Sequence, residues 1–270
     1  MSAEGHAMPR TARVLALANQ KGGVAKTTTT LNLGVALKNL GHRVLAIDLD
    51  PQSNLSMSQG IDVEHLDPTM YDVLLRGVPM AEVVHMREID IAAAGIELAG
   101  AELALTATIG RERALARAIA PLREVYDVIL IDTPPSLGLL TVNAMVAAQG
   151  VIVPVQCEYL SLRGLAQLQA TLSQVREHLN PEVGIVGILP TMYDGRTMHA
   201  REAVDMLQHG FGDLVFDVRI GKTIRFAEAP VRGVSVLSYD PGGQAARWYR
   251  QLAREVIERG LTPTLQEVRA

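Results

Sequence analysis

Apolar runs rich in β-branched residues recur along the chain at 13–19, 43–49, 89–93, 126–132, 151–155, 183–189 and 214–220. Most are too short for helices and read as strands. Between them, apolar residues fall at helical spacing over 26–40, 114–123, 139–148, 160–179, 198–208 and 243–259. Strand and helix signals alternating at these lengths predict an α/β fold, a mostly parallel central sheet with helices on both faces. Runs such as Val128-Ile129-Leu130-Ile131 lack polar alternation, the pattern of a strand buried on both sides. The segment 53–105 is the least regular and is expected to form short helices and loops over one end of the sheet. With no internal repeat, low-complexity tract or Pro/Gly/Ser linker, we expect one domain over 13–260. A polar leader, 1–12, would precede it, and a tail, 261–270, would follow.

Composition narrows the function. The chain has 270 residues, of which 48% are apolar and 20% charged. A chain of that length and balance can bury a core without disulfide or metal staples. Its one cysteine, Cys157, cannot make an intrachain disulfide or a four-thiolate metal site. No run approaches the roughly 18–20 apolar residues of a membrane span, and the first residues lack an apolar signal core. A cytoplasmic protein with no membrane partner is expected. The net charge of −4 repels phosphate on average, so contact with nucleic acid requires a local cationic patch. The GxGxxG fingerprint of a nicotinamide enzyme is missing.

The most informative stretch is Ala16-Leu17-Ala18-Asn19-Gln20-Lys21-Gly22-Gly23-Val24-Ala25-Lys26-Thr27-Thr28, a strand entering a glycine turn and then a helix. Gly22 and Gly23 let the backbone wrap an anion, so that the N–H groups of 22–28 and the helix N-terminus point at it. Lys26 would reach the β and γ phosphates of a nucleotide, and Thr27 would place its hydroxyl on Mg²⁺. The plain alternative is a glycine turn with an exposed lysine. The generic phosphate-loop pattern wants glycine where Gln20 and Ala25 stand.

Lysine, two glycines, two variable residues, then lysine and threonine resembles the deviant Walker A motif of the ParA/MinD/Soj superfamily. The resemblance implies a P-loop NTPase that binds ATP and Mg²⁺. It also implies that Lys21 reaches across a dimer interface to the partner's nucleotide, where a second cation can stabilise charge developing on the transferred phosphoryl group. Most relatives carry glycine at the position of Ala25, and if the backbone there needs positive φ, alanine strains it.

The segments 43–52 and 126–136 are apolar strands that deliver acids to the edge where the phosphate loop sits. Asp48-Leu49-Asp50-Pro51-Gln52 resembles the family's DxDPQ switch, in which Asp50 matches the aspartate that orients or activates the hydrolytic water. Asp48 is expected to support Mg²⁺ or its waters. Asp132 resembles the Walker B acid, a further Mg²⁺ ligand through water, and the turn Thr133-Pro134-Pro135 would sense ATP or ADP.

The loop Pro190-Thr191-Met192-Tyr193-Asp194-Gly195-Arg196 resembles the one that faces adenine in the family, making Met192 and Asp194 candidate base contacts. A plain strand-to-helix turn explains Tyr193-Asp194-Gly195 as well. The segment 220–230 resembles the family's IPRNVRLSEAP, with Gly221 and Lys222 in place of the usual proline and arginine. Arg196, Lys222 and Arg225 then match positions that bind DNA without sequence preference. The other arginines of the last third, Arg219 among them, read as solvated helix faces.

The resemblance covers about 14–259. It implies a DNA-partitioning ATPase whose ATP-dependent homodimer binds double-stranded DNA nonspecifically. Hydrolysis, stimulated by a ParB-type centromere-binding protein, would release it. No helix-turn-helix precedes the first strand, so operator reading is not expected, and no basic amphipathic helix ends the chain. The alternatives are a membrane-surface positioning ATPase of the MinD type and a metabolic P-loop enzyme without DNA binding.

Overall fold

The computed structural model describes residues 11–158 and 161–263. Its centre is a seven-stranded sheet of β1 (Arg13–Leu17), β2 (Val44–Asp48), β3 (Val84–Met86), β4 (Asp90–Ala92), β5 (Val128–Asp132), β6 (Gly150–Gln156) and β7 (Ile185–Thr191). The strand order is β3-β4-β2-β5-β1-β6-β7, parallel throughout except for the antiparallel pair of β3 with β4. The expected strand at 214–220 is not a ladder. It touches β7 through one isolated parallel bridge, Ile188 with Val215, and just past both segments Tyr193 bridges Gly221. β3 had no sequence signal, being three residues long and only partly buried. The expected leader and tail lie largely outside the described residues.

The helices, in chain order, begin with α1 (Lys26–Asn39), α2 (Asn54–Met57), α3 (Met70–Arg76), α4 (Ala101–Leu105), α5 (Ala114–Ile119) and α6 (Leu139–Ala147). They continue with α7 (Ser161–His178), α8 (Met198–Phe211), α9 (Arg225–Val231), α10 (Val236–Tyr239) and α11 (Gln244–Glu258).

Burial on both sides explains the unbroken apolar strands. Ile129 and Ile131 of β5 pack with Val14, Leu45, Leu115 and Leu140 in one core. Their neighbours Val128 and Leu130 pack with Leu33, Ala46, Leu252 and Val256 in the other. Each strand position therefore has its own helix layer, α5 and α6 on one face and α1 and α11 on the other.

The register aligns the functional edge. Leu17 of β1 and Asp48 of β2 both stand opposite Asp132 of β5, so three central strands end at one level. The loops after them converge at their carboxyl ends, where open parallel sheets bind ligands.

Candidate functional site

A cavity of about 660 Å³ opens at this edge. Its floor is the turn between β1 and α1, with Gly22, Gly23, Ala25, Lys26, Thr27 and Thr28 on the wall. Val24 lies beneath, and its carbonyl accepts a hydrogen bond of 3.1 Å from the Thr191 hydroxyl, tying the turn to the end of β7. Asn19, buried, braces the turn with a bond from Nδ2 to the Pro154 carbonyl (2.7 Å) and another accepted from the Lys21 N–H (3.0 Å).

The loop takes its shape at some conformational cost. Gly23 has φ 71° and Ala25, which caps α1, has φ 68° and ψ 32°. Alanine in this left-handed region costs roughly 1–2 kcal/mol. Ala25 thus occupies the conformation that glycine favours. The other non-glycine residues with positive φ among those described are Ser53 and Met192. Met192 lines the same cavity, and Ser53 sits between its wall residues Gln52 and Asn54. Strain concentrated at one cavity is a functional signature.

Charge is concentrated behind the loop. Lys26 is buried, and burial lowers its pKa while Asp132 and Asp50 act to raise it. Asp132 is fully buried and accepts hydrogen bonds from the hydroxyls of Thr27 (2.6 Å) and Thr30 (3.2 Å). Burial first, and then the neighbouring charge of Asp48, push its carboxyl well above the usual range. Two facing buried acids, with Lys26 as the nearby cation, leave this corner short of positive charge. A divalent ion beside Thr27 and Asp132 fits that deficit.

Asp50 lines the cavity and caps its own turn, accepting the Gln52 N–H at 3.0 Å. Asp48 is placed differently from a wall ligand. Fully buried, it accepts the N–H (2.9 Å) and hydroxyl (2.8 Å) of Ser56 and the N–H of Asp50 (3.2 Å), and burial raises its pKa to about 6. It therefore anchors the 50–56 segment to β2, level with Asp132 on the neighbouring strand.

The far wall is apolar and comes from α9 and the residues after it, including Phe226, Pro230 and Val234. Phe226 meets Tyr249 edge to face at 6.0 Å, and the Tyr249 hydroxyl lies 3.2 Å from that of Thr29, so this wall rests on α1 and α11. Sequence reasoning missed these residues. Arg225, at the start of the same short helix, drew the segment toward DNA, and one turn of helix presents both faces.

The remaining expected residues lie elsewhere. Lys21 turns away from the cavity and pairs with Glu158 at 2.9 Å. Asp194 lies outside the nucleotide-sized cavity. Its carboxylate holds Arg196 through two side-chain bonds, 2.9 and 2.7 Å, and borders a second cavity with Arg196 and Lys222. Of the two base candidates only Met192 is on the first cavity. Arg225 pairs with Glu228 at 2.7 Å and Asp240 at 3.6 Å.

Comparison with known proteins agrees with this geometry. A family model described as an AAA domain matches residues 12–185. The sporulation initiation inhibitor protein Soj of Bacillus subtilis is 42% identical over 251 residues, 92% of this chain and 99% of that protein. The chromosome partitioning protein ParA of Caulobacter vibrioides is 45% identical over 252 residues, 92% of this chain and 94% of that one. Among solved structures, a Mycobacterium smegmatis protein named cobyrinic acid a,c-diamide synthase, with bound ATP analogue and magnesium, superimposes with a TM-score of 0.81. It is 40% identical and covers 94% of this chain and 99% of its own. A phosphate loop with an added lysine, two strand-end acids in register and relatedness over nearly the whole chain converge: the protein belongs to the ParA/Soj family of chromosome-partitioning proteins.

Proposed function

We propose that the chain is a partitioning ATPase that binds ATP and Mg²⁺ in the 660 Å³ cavity and assembles as a dimer around two nucleotides. The observation that carries this reading is the meeting of Lys26, Asp50 and the Thr27–Asp132 pair at one sheet edge. The solved relative with ATP analogue and magnesium supports it.

Each residue has a task in that reaction. The 22–28 backbone wraps the phosphates, and Lys26 neutralises the β and γ oxygens. Thr27 and Asp132 would hold Mg²⁺, which supplies charge stabilisation between those oxygens when bound. Asp50, on the cavity wall, holds and orients a water opposite the γ phosphorus. Asp48 fixes Asp50 by holding its turn. Met192 and the Phe226 wall receive the base. Lys21 serves the partner's nucleotide after leaving Glu158.

Nucleotide and DNA are coupled through α9. Phe226 and Pro230 face the nucleotide cavity while Arg225 lies on the outer side, so ATP contacts that favour the dimer also set the cationic face. Nonspecific duplex DNA would bind that face, in the cytoplasm on the nucleoid. A ParB-type protein would stimulate hydrolysis and release.

A gel shift of duplex DNA with ADP, ATP and a nonhydrolysable analogue over a salt series tests the function. Binding with ATP and the analogue only, weakening with salt, is expected. Nucleotide-independent binding, or none, contradicts it.

A further inference from the structure

Two stretches far apart in sequence supply much of the wall of the first cavity. Asn54, Met57 and Ser58 follow the Asp50 turn, while Pro230, Val231, Val234 and Val236 belong to α9, α10 and the turn between them. The first stretch closes at Gly60 (φ 68°) and the second turns at Gly233 (φ 67°). These two left-handed turns abut, since a Cβ on Gly233 would meet the Gly60 nitrogen at 3.5 Å.

One carboxylate spans the junction, that of half-buried Glu88 between β3 and β4. Its Oε2 accepts the Gln59 side-chain amide at 3.2 Å and the Ser235 N–H, and its Oε1 accepts the hydroxyls of Ser235 (3.3 Å) and Ser238. The Glu88 N–H in turn donates to Gln59 Oε1 at 3.3 Å, so that the amide is held at both ends. Hydrogen bonds to a carboxylate are the stronger kind. Gln59 and Ser235 are both buried. Gln59 adjoins the wall residue Ser58, and Ser235 lies between the wall residues Val234 and Val236, whereas Glu88 is not on the wall.

The segment that carries Glu88 is seated on α1. Ile89 is buried over Gly34, where a Cβ would lie 2.7 Å from the isoleucine Cδ1, and Lys38 Nζ donates to the Glu88 carbonyl at 2.5 Å. From the same helix, Asn32 accepts the Val236 N–H at 2.9 Å and donates to the carbonyl of the wall residue Thr28 at 2.7 Å. The start of α10 is thus tied to the phosphate-loop helix through Asn32 and to the Asp50 side through Glu88. Asp50 has a separate support, because Asp48 holds both its N–H and Ser56. Breaking the Glu88 link therefore frees the two walls from each other without freeing Asp50.

We propose that Glu88 is a positioning residue that fastens the two walls together and so sets how slowly bound nucleotide leaves. The assignment rests on the nucleotide reading above and adds to it a residue that acts from off the cavity wall. A ligand held between walls already fixed in place does not have to order them itself, and it is retained longer.

Stopped-flow release of a fluorescent ADP analogue from the full chain with Mg²⁺, chased with excess ADP, tests it. Glu88→Ala, Glu88→Gln, Gln59→Ala and the double variant Gln59→Ala/Glu88→Ala are compared with wild type, with urea unfolding as the check on folding. Glu88→Ala is expected to speed release by about five- to tenfold, the scale of lost hydrogen bonds to a charged group. Its single-turnover hydrolysis at saturating ATP should stay within about twofold of wild type, the split that separates retention from chemistry. Glu88→Gln keeps an acceptor for the Ser235 N–H and restores part of the loss. Gln59→Ala also speeds release, and the double variant releases no faster than Glu88→Ala. Release at the wild-type rate from Glu88→Ala, or fully additive effects in the double variant, overturns the assignment alone. So does a fall in single-turnover hydrolysis that matches the gain in release, the mark of a generally loosened site. Should Glu88→Ala not fold, Ser238→Ala at an exposed serine carries the test, faster release supporting the link and unchanged release overturning it. A wild type that does not bind the analogue overturns the nucleotide reading and this assignment together.

Discussion

Lys21 Nζ lies 2.9 Å from Glu158 Oε2, so the lysine that the family resemblance assigns to a partner's nucleotide is held by an acid of its own chain. The pair is exposed, with side-chain accessibilities of 40% and 52%. Such pairs contribute up to about 1 kcal/mol. In the proposed dimer both copies of the pair must open, which sets a small threshold against assembly.

Glu158→Gln removes the charge that holds Lys21. It is expected to strengthen ATP-dependent dimerisation by up to about fivefold for each lysine released. Light scattering over a protein dilution series measures it. An unchanged dimer constant would show that the pair does not oppose assembly.

Ala25 tests the strain at the phosphate loop. Glycine in place of alanine beside a helix ordinarily costs up to about 1 kcal/mol. Ala25, however, sits at φ 68°. Relieving an L-residue of that left-handed backbone returns roughly 1–2 kcal/mol. Ala25→Gly is therefore expected to leave stability to urea equal or higher. A clear fall in the unfolding midpoint at constant slope would contradict the strained assignment.

Much of this site was legible from sequence because short local patterns encode it. The phosphate turn needs only a strand, two glycines and a helix start, and α1 begins at Lys26 as the spacing predicts. The strand-end acids were legible because unbroken apolar runs mark doubly buried strands, and parallel register then brings Asp48 and Asp132 level. What was not legible depends on side-chain direction. Asp48, expected to support Mg²⁺ or its waters, also anchors Ser56, eight residues on, a bond no local pattern announces. Met192 and Asp194 are two residues apart in sequence and line different cavities, and Met192 takes φ 52°. The 214–220 run has a strand's composition but forms a single isolated bridge, at Val215, with a second at Gly221 just past it. Arg219 stacks on Tyr193, a contact between residues far apart in sequence that no local pattern encodes.

Asp132 links stability to the proposed cation. Its folded pKa is raised above the unfolded value by burial and Asp48, so the ionised carboxylate costs stability. Stability without nucleotide should fall as pH rises from the ordinary carboxylate range toward that raised value. Asp132→Asn is expected to flatten this dependence and to lose the gain in ATP affinity that Mg²⁺ confers on wild type. Denaturation against pH and nucleotide titration with and without Mg²⁺ are the readouts. A variant with wild-type pH dependence and wild-type Mg²⁺ response would remove Asp132 from this role.

Asp50 separates binding from hydrolysis. Asp50→Ala is expected to bind ATP and remain dimeric while its turnover falls by about 10²–10⁴, the usual contribution of a positioned base. Phosphate release under single-turnover conditions measures it. Wild-type turnover would assign the water to another group.

The central claim is that ATP is gripped by Lys26 of its own protomer and Lys21 of the partner. Light-scattering mass with ADP and with ATP, for wild type and Lys21→Ala, tests it most directly. The account predicts that ATP moves wild type from the 29.1 kDa monomer to twice that mass, while Lys21→Ala binds ATP and stays monomeric. A wild type that remains monomeric with ATP bound, or a Lys21→Ala variant that dimerises as wild type does, would contradict it.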